Sequence, residues 1–341
     1  MHARSPYSAG LSVLIAAMVG TTALADEVNI YSYRQPDLIA PLMEAFTEQT
    51  GIETNVLFLN KGLVERIKAE GETSPADLIM TADIGRLSAA KTEGVTQPVE
   101  SSGINDTIPA NYRDPDGHWF GLTTRGRVVY ASRDRVDQDS ITYEELADPK
   151  WKGKICIRSG QHIYNIALIA SIIAHAGEEK AEAWLKGVKD NLARKPDGND
   201  RAQAKGIFAG ECDIGIGNTY YVGLMMTNEK EPEQKDWANA MKVLFPNSGD
   251  RGTHVNISGM ALAKNAPNKD HAIKLMEFLA SPKGQMLYAE RVFEYPVAPG
   301  AEASDIVKSF GEIKPDMLSL DEVANNRKAA SEMVDRVGFN N

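Results

Sequence analysis

Residues 28–80 read VNIYSYRQPDLIAPLMEAFTEQTGIETNVLFLNKGLVERIKAEGETSPADLIM, and the alternation inside them decides the fold. Val28 to Tyr31 is a short apolar run of strand character. Pro36 suits the first turn of the helix that follows, where its missing N–H is not needed. Leu38, Ile39, Leu42, Met43 and Phe46 share one face of that helix, which runs to about Gln49 and stops at Gly51. Ile52 to Leu59 predicts a second strand, Leu63 to Ala69 a helix, Ala76 to Met80 a third strand and Ile84 to Glu93 another helix. Such alternation builds a parallel sheet covered on both faces.

Further along, Trp119 to Ser132 is β-rich, and a second α/β set follows it. The pattern predicts strands at Lys154 to Ile157, Asp213 to Ile216 and Lys242 to Phe245. It places helices at Tyr164 to Ala174, Glu179 to Asn191 and Ala202 to Phe208, with one more starting at Gly217-Asn218-Thr219. Thr253 to Ala263 is a strand crossing back, ahead of helices near His271 to Ala280 and Pro282 to Arg291. The tail from Ser304 is helical and polar. The expected organisation is two α/β lobes, residues 26–123 with 252–298 and residues 124–251 with 299–341. Their crossings fall near Thr123–Arg127 and Asp250–His254. No Gly-, Pro- or Ser-rich linker separates them, which fits a hinge of paired strands. Open α/β sheets bind ligands beyond the carboxyl ends of their strands, so two lobes can share one cleft that closes by hinge motion.

Residues 1–25 have the pattern of an export leader. Arg4 provides a small positive region, Leu11 to Val19 a short apolar core, and Ala23-Leu24-Ala25 a cleavage signal ahead of Asp26. The apolar run is too short for a permanent membrane span. A formal net charge of −10 without basic clusters excludes nucleic acid and anionic membrane as partners. Cys156 and Cys212 are an even pair in a chain bound for an oxidising compartment, which predicts a disulfide within the second lobe.

Four segments lie just after strands: Tyr31–Pro36, Thr123–Arg127, Arg158–Tyr164 and Gly217–Tyr221. They are rich in tyrosine and arginine and almost without carboxylates. Calcium and magnesium want carboxylate or carbonyl oxygens, and zinc and copper want imidazole and thiolate. Ferric iron prefers hard anionic oxygens, and tyrosine serves it as phenolate. Asn218 or Thr219 can cap a helix whose first turn holds Tyr220 and Tyr221, near the positive end of its dipole. From spacing alone the pair suits metal binding or lobe core, because neighbours on a helix diverge by roughly 100°. Tyr33 is a further candidate ligand. His162, His254 and Tyr295 read as structural. Arg34 and Arg125 are candidates for holding an anion through guanidinium forks, unless either pairs with a carboxylate at the hinge; Arg127 is a weaker candidate.

The chain from residue 26 onward resembles the periplasmic ferric-ion-binding proteins that feed iron ABC importers. The resemblance rests on YSYRQPDL at 31–38, TTRGRVVY at 123–130, WKGKICIRSGQHIYN at 151–165, GECDIGIGNTYYVGLM at 210–225 and HVNISGMALAKNAPN at 254–268. It implies a type II periplasmic-binding-protein fold with a hinge and ferric iron in the interlobe cleft. It also implies metal ligation by Tyr220 and Tyr221 after GNT and by Tyr164 after RSG. Where some relatives add a His or Tyr from the first loop, this chain has Arg34-Gln35-Pro36. The implied shell is therefore three phenolates completed by an anion such as carbonate, and water. The expected protein is a periplasmic monomer, not an enzyme, with an inner-membrane ABC permease as partner. The rival reading is a protein of the same fold that binds an oxyanion or small organic solute. No G-x-S-x-G or H-E-x-x-H motif supports a hydrolase.

Overall fold

The computed structural model describes residues 26–341, so the leader expected over 1–25 lies outside the described residues. The strands are β1 (Glu27–Ser32), β2 (Glu53–Phe58), β3 (Leu78–Thr81), β4 (Phe120–Ser132), β5 (Ile155–Cys156), β6 (Ile214–Asn218), β7 (Met241–Leu244), β8 (Val255–Leu262) and β9 (Tyr295–Pro296). Their order is β2-β1-β3-β8-β4-β6-β5, with β7 and β9 also paired to β4. β2, β1 and β3 are parallel, as the opening alternation requires, and β8 joins β3 antiparallel. On the other side β5 and β6 are parallel to each other, and β6 and β7 are antiparallel to β4.

Local chemistry fixes the first crossover. Pro36 occupies the first turn of the Pro36–Thr50 helix, whose buried face is Ile39, Leu42, Met43 and Phe46. Gly51 ends it in the left-handed region, at φ 74°, where a side chain would be strained. The strands of this half lie between two apolar clusters, one around Ile30, Phe46 and Leu78 and one around Leu63, Ile79 and Trp119. The second half has its own pair, around Ile169, Trp184 and Met333 and around Tyr130, Ile207 and Met225.

β4 is 13 residues long and buried throughout. Up to Gly126 it pairs with β8; from Arg127 onward it pairs with β6. At the exchange the backbone of Gly126 lies close to Ile313, whose Cδ1 would be 2.9 Å from a Cβ placed there. The tail is helical and polar in composition, as expected, but it also buries an apolar stripe. It forms short helices at Asp305–Lys308 and Leu320–Asn325 and a longer one at Arg327–Val337. The last buries Ala330, Met333, Val334 and Val337, an i, i+3, i+4 stripe hidden in a polar composition. Leu320 packs into the cluster of Leu63 and Trp119, whereas Val323 packs into that of Trp184. One helix therefore straddles both halves. Arg327 also reaches from one half to the other, with Nη1 3.6 Å from Asp83 and donating to the Ile163 carbonyl at 3.4 Å.

The expected disulfide is present: Cys156 and Cys212 are bonded, 5.8 Å apart at Cα and 56 residues apart in sequence. It ties β5 to the turn before β6. The Cys156→Ser/Cys212→Ser variant should lose about 2–4 kcal/mol in urea unfolding, because the unfolded chain regains the entropy of that loop. Thiol titration of the denatured, unreduced protein should find no free sulfhydryl; two would refute the bond.

Candidate functional site

Tyr220 and Tyr221 lie in the first turn of the Thr219–Met226 helix, directly after β6. Neither expected cap forms. Asn218 holds the N-cap position, but its Oδ1 accepts from Arg127 Nη1 at 3.1 Å, and Thr219 Oγ1 accepts from the Gly126 amide at 3.2 Å. The helix start is thus tied to β4 rather than capped by itself. The two rings do not diverge into core and solvent. They stack, centroids 4.3 Å apart at 29°.

Tyr164 enters from the start of the Ile163–Ala176 helix, which His162 caps by accepting from the Tyr164 amide at 3.3 Å. The His162 ring also meets the Tyr164 ring edge-on, at 4.5 Å. Tyr164 Oη and Tyr220 Oη are 3.1 Å apart. Three aromatic hydroxyl-bearing groups from two helix starts therefore share one corner of the cleft. Burial, then Tyr164, Tyr221 and Asp200, raise the Tyr220 phenol well above its ordinary value; burial, Tyr164 and Asp200 raise Tyr221. Without a cation, both are neutral phenols at neutral pH.

Guanidiniums surround them. Arg158, Arg125 and Arg127 lie 5.4, 5.6 and 5.9 Å from the Tyr164 ring centre, and Arg201 lies 5.0 Å from that of Tyr221. Asp200, fully buried, holds two of these by accepting from Arg127 Nη1 at 2.7 Å and Arg158 Nη1 at 3.0 Å, and it also accepts from the Asn218 amide at 2.9 Å. The same carboxylate therefore orders the arginines and the strand end that leads into Tyr220. Among the described residues the Nε atoms of Arg125, Arg127, Arg158 and Arg201 are buried without a partner, which leaves these four side chains with unused donor capacity.

The two arginines singled out as anion ligands differ. Arg125 donates to the Ala82 carbonyl and, at 3.4 Å, to Ser258 Oγ. Arg34 is tied into a buried hub: Nη2 donates to Glu294 Oε1 at 2.8 Å and to Ser258 Oγ, and Nε donates to Tyr288 Oη at 3.0 Å. Arg34 thus has the hinge carboxylate that was its alternative partner, while remaining within electrostatic reach of Tyr220. Tyr33 stays apart from the other tyrosines; its hydroxyl accepts from the Leu63 amide at 3.2 Å beneath Arg86. Among the described residues no group of three or more His, Cys, Asp or Glu is placed to hold a metal. Asp200 and Glu294 escaped the sequence reading, the first because one Asp at a helix start is ordinary, the second because its partners are scattered along the chain.

The fold and this cleft define a hinged, two-lobed solute-binding protein, and the comparisons agree. The profile of the bacterial extracellular solute-binding proteins matches residues 73–312, and the chain belongs to that family. It is 42% identical to iron uptake protein A1 of Synechocystis, over 95% of this chain and 90% of that one. Its structure superposes on a Bordetella ferric binding protein with a TM-score of 0.88 at 51% identity, covering 93% of this chain and 100% of that one. It superposes equally well, at 0.88 and 45% identity, on a Trichodesmium protein in complex with iron and citrate ligands, covering 92% and 99%. The fold is the type II periplasmic-binding-protein fold.

His254, at the β4–β8 crossing, is fully buried among cations. Burial first, then Arg127 and Arg125, lower its pKa to about 3. Its unfolded value is about 6.5, so between these limits the unfolded chain binds the extra proton and folding stability falls as the pH drops. The loss from this residue should be on the order of 2 kcal/mol by pH 4.5. His254→Gln should flatten that part of the profile in urea unfolding between pH 7 and 4.5; an unchanged slope would remove His254 as the source.

Proposed function

We propose that this protein captures ferric iron in the periplasm through the phenolates of Tyr164, Tyr220 and Tyr221 and delivers it to an inner-membrane ABC permease. The observation that carries the reading is the convergence of the three tyrosines, with Tyr164 and Tyr220 oxygens 3.1 Å apart, beside a cluster of arginines of which Asp200 holds two. The names of the relatives, an iron uptake protein and ferric binding proteins, support the same cargo. The role is binding rather than catalysis.

Three phenolates balance a trication, and the surrounding guanidiniums then favour an additional anion. Carbonate is the proposed synergistic anion, with Arg125 as its main protein partner: the unpartnered, buried Nε supplies a donor that such an oxyanion would satisfy. Arg34 is proposed to assist it. Each tyrosine loses a proton when iron binds, so protons compete with the metal and affinity falls as the pH drops. The rival reading, an oxyanion as the cargo itself, draws on the same cluster of arginines.

A visible spectrum separates the two. Iron-loaded protein should be orange-red from phenolate-to-iron charge transfer. Phe at position 164, 220 or 221 keeps the ring and removes only the oxygen. Each such variant should shift or bleach the band and weaken iron binding at least about tenfold, or 1.4 kcal/mol, while the melting temperature without metal stays nearly constant. Wild-type spectra and affinities in both Tyr220→Phe and Tyr221→Phe would leave the oxyanion as cargo.

The anion has its own check. Arg125→Ala should make iron binding less dependent on added bicarbonate, measured as the band intensity across a bicarbonate titration. Unchanged dependence in both Arg125→Ala and Arg34→Ala would remove these arginines from the role.

A further inference from the structure

Glu294 sits in a place that packing alone does not explain. It follows Phe293, which ends the Pro282–Val292 helix in the left-handed region at φ 55°, an uncommon conformation for a bulky residue. The next residue, Tyr295, enters β9 and pairs with β4. This geometry delivers a wholly buried carboxylate beneath the two crossing strands. Its Oε2 accepts from Thr123 Oγ1 of β4 at 2.5 Å and from Ser258 Oγ of β8 at 2.7 Å, and its Oε1 takes Arg34 Nη2 at 2.8 Å.

The consequence concerns what Arg34 has left to give. A guanidinium holds a carboxylate or carbonate best through two parallel N–H groups. Glu294 and Ser258 occupy Nη2, and Tyr288 occupies Nε. Only the Nη1 side of the fork is outside the hub. Ser258 also accepts from Arg125, so both cleft arginines lean on the hydroxyl that donates to Glu294. A negative charge at the root of the anion site repels the incoming anion and occupies one of its cations. The carboxylate is ionised: burial would raise its pKa, but Arg34, then Arg125, and hydrogen bonds from Thr123 and Ser258 bring it below the ordinary range.

We propose that Glu294 limits the cleft's affinity for its anion, acting through Arg34 as an internal competitor built into the hinge strands. The proposal rests on the ferric-iron and anion reading above. A site that must give up its cargo benefits from a competitor that never leaves, because the anion is then held firmly only while both lobes surround it. The competitor is bonded to β4 and β8, the pair of strands at which β4 passes from one half to the other.

The test is a bicarbonate titration with two readouts, the charge-transfer band of the iron-loaded protein and the thermal upshift of the iron-free protein. Glu294→Gln keeps the shape and removes the charge. It should lower the bicarbonate concentration at half-effect by at least about fivefold, because a like charge has been taken from beside the anion. A purely structural carboxylate predicts the reverse, a lower melting temperature with weaker anion binding. An unchanged or higher midpoint overturns the proposal.

Arg34→Met/Glu294→Met replaces the ion pair by apolar groups of similar volume, an exchange that buried pairs often tolerate, and it decides the matter if the single variant does not fold. The double variant loses the contribution of Arg34 together with the charge that opposes it, so its midpoint should rise by less than that of Arg34→Ala alone. A rise equal to or larger than that of Arg34→Ala would mean that Glu294 does not oppose the anion, against the proposal. The ferric reading fails separately, by the absence of a visible band in the wild-type protein, and the thermal readout still tests Glu294 in that event.

Discussion

Between Gly126 and Arg127 the strand β4 gives up β8 as its partner and takes β6. That exchange constrains everything around the cleft. Residues before it belong to the ladder of the first lobe, and residues after it to the second. Arg125 and Arg127 stand on either side, so two like charges are held close together in buried positions. Each must find its own compensation, because an unpaired buried charge is far costlier than a surface one. Arg127 finds it in Asp200, Asn165 and Asn218; Arg125 finds only neutral acceptors, Ala82 and Ser258, with Glu294 close enough to be felt. The less compensated arginine is the one that faces Tyr164 from the β8-paired stretch of β4.

The same exchange sets the polar order on the second side. Asp200 begins the Asp200–Phe208 helix and accepts from two arginines and the Asn218 amide. Its negative charge raises the cost of ionising Tyr220 and Tyr221, whereas Arg158 lowers that of Tyr221. The balance keeps both phenols neutral. A site with no opposing carboxylate would ionise its phenols more readily and hold a trication more tightly, at the expense of letting it go.

The secondary structure was legible because apolar spacing and a few punctuating residues are local signals. Pro36 and Gly51 bracket the first helix as their backbone preferences dictate, and the strand–helix alternation forecast the parallel arrangement of β2, β1 and β3. Tyr220 and Tyr221 stood out through adjacency and resemblance, and the resemblance brought Tyr164 to them, but nothing in the sequence said that the two adjacent rings would stack. Arg34 was identified without its partner, since Glu294 lies 260 residues away and only tertiary packing brings the two together. The tail is helical and polar in composition, but its buried stripe was not legible for a related reason: an amphipathic helix of low mean hydropathy looks solvated until the groove that receives its stripe is known. Leu320 and Val323 serve different cores, an arrangement that no periodicity announces.

The division of chemistry between the lobes has a mechanical consequence. Tyr164, Tyr220 and Tyr221 all stand on the second lobe, on segments that the Cys156–Cys212 bond and the Asp200 network fix to one another. Arg34, and Arg125 on the β8-paired stretch of β4, stand on the other side of the strand exchange, where Tyr33 is turned to Leu63. Closing the lobes under the proposed function therefore leaves the number of phenolates at the metal unchanged. It changes the cationic cover, the water that reaches the site and the grip on the anion. Opening reverses these together, and in a medium of rising polarity every charge interaction at the metal weakens at once. Under the proposed function, separating the arginines from a tyrosine platform held by the Cys156–Cys212 bond and Asp200 would release the cargo through charge rather than through ligand exchange.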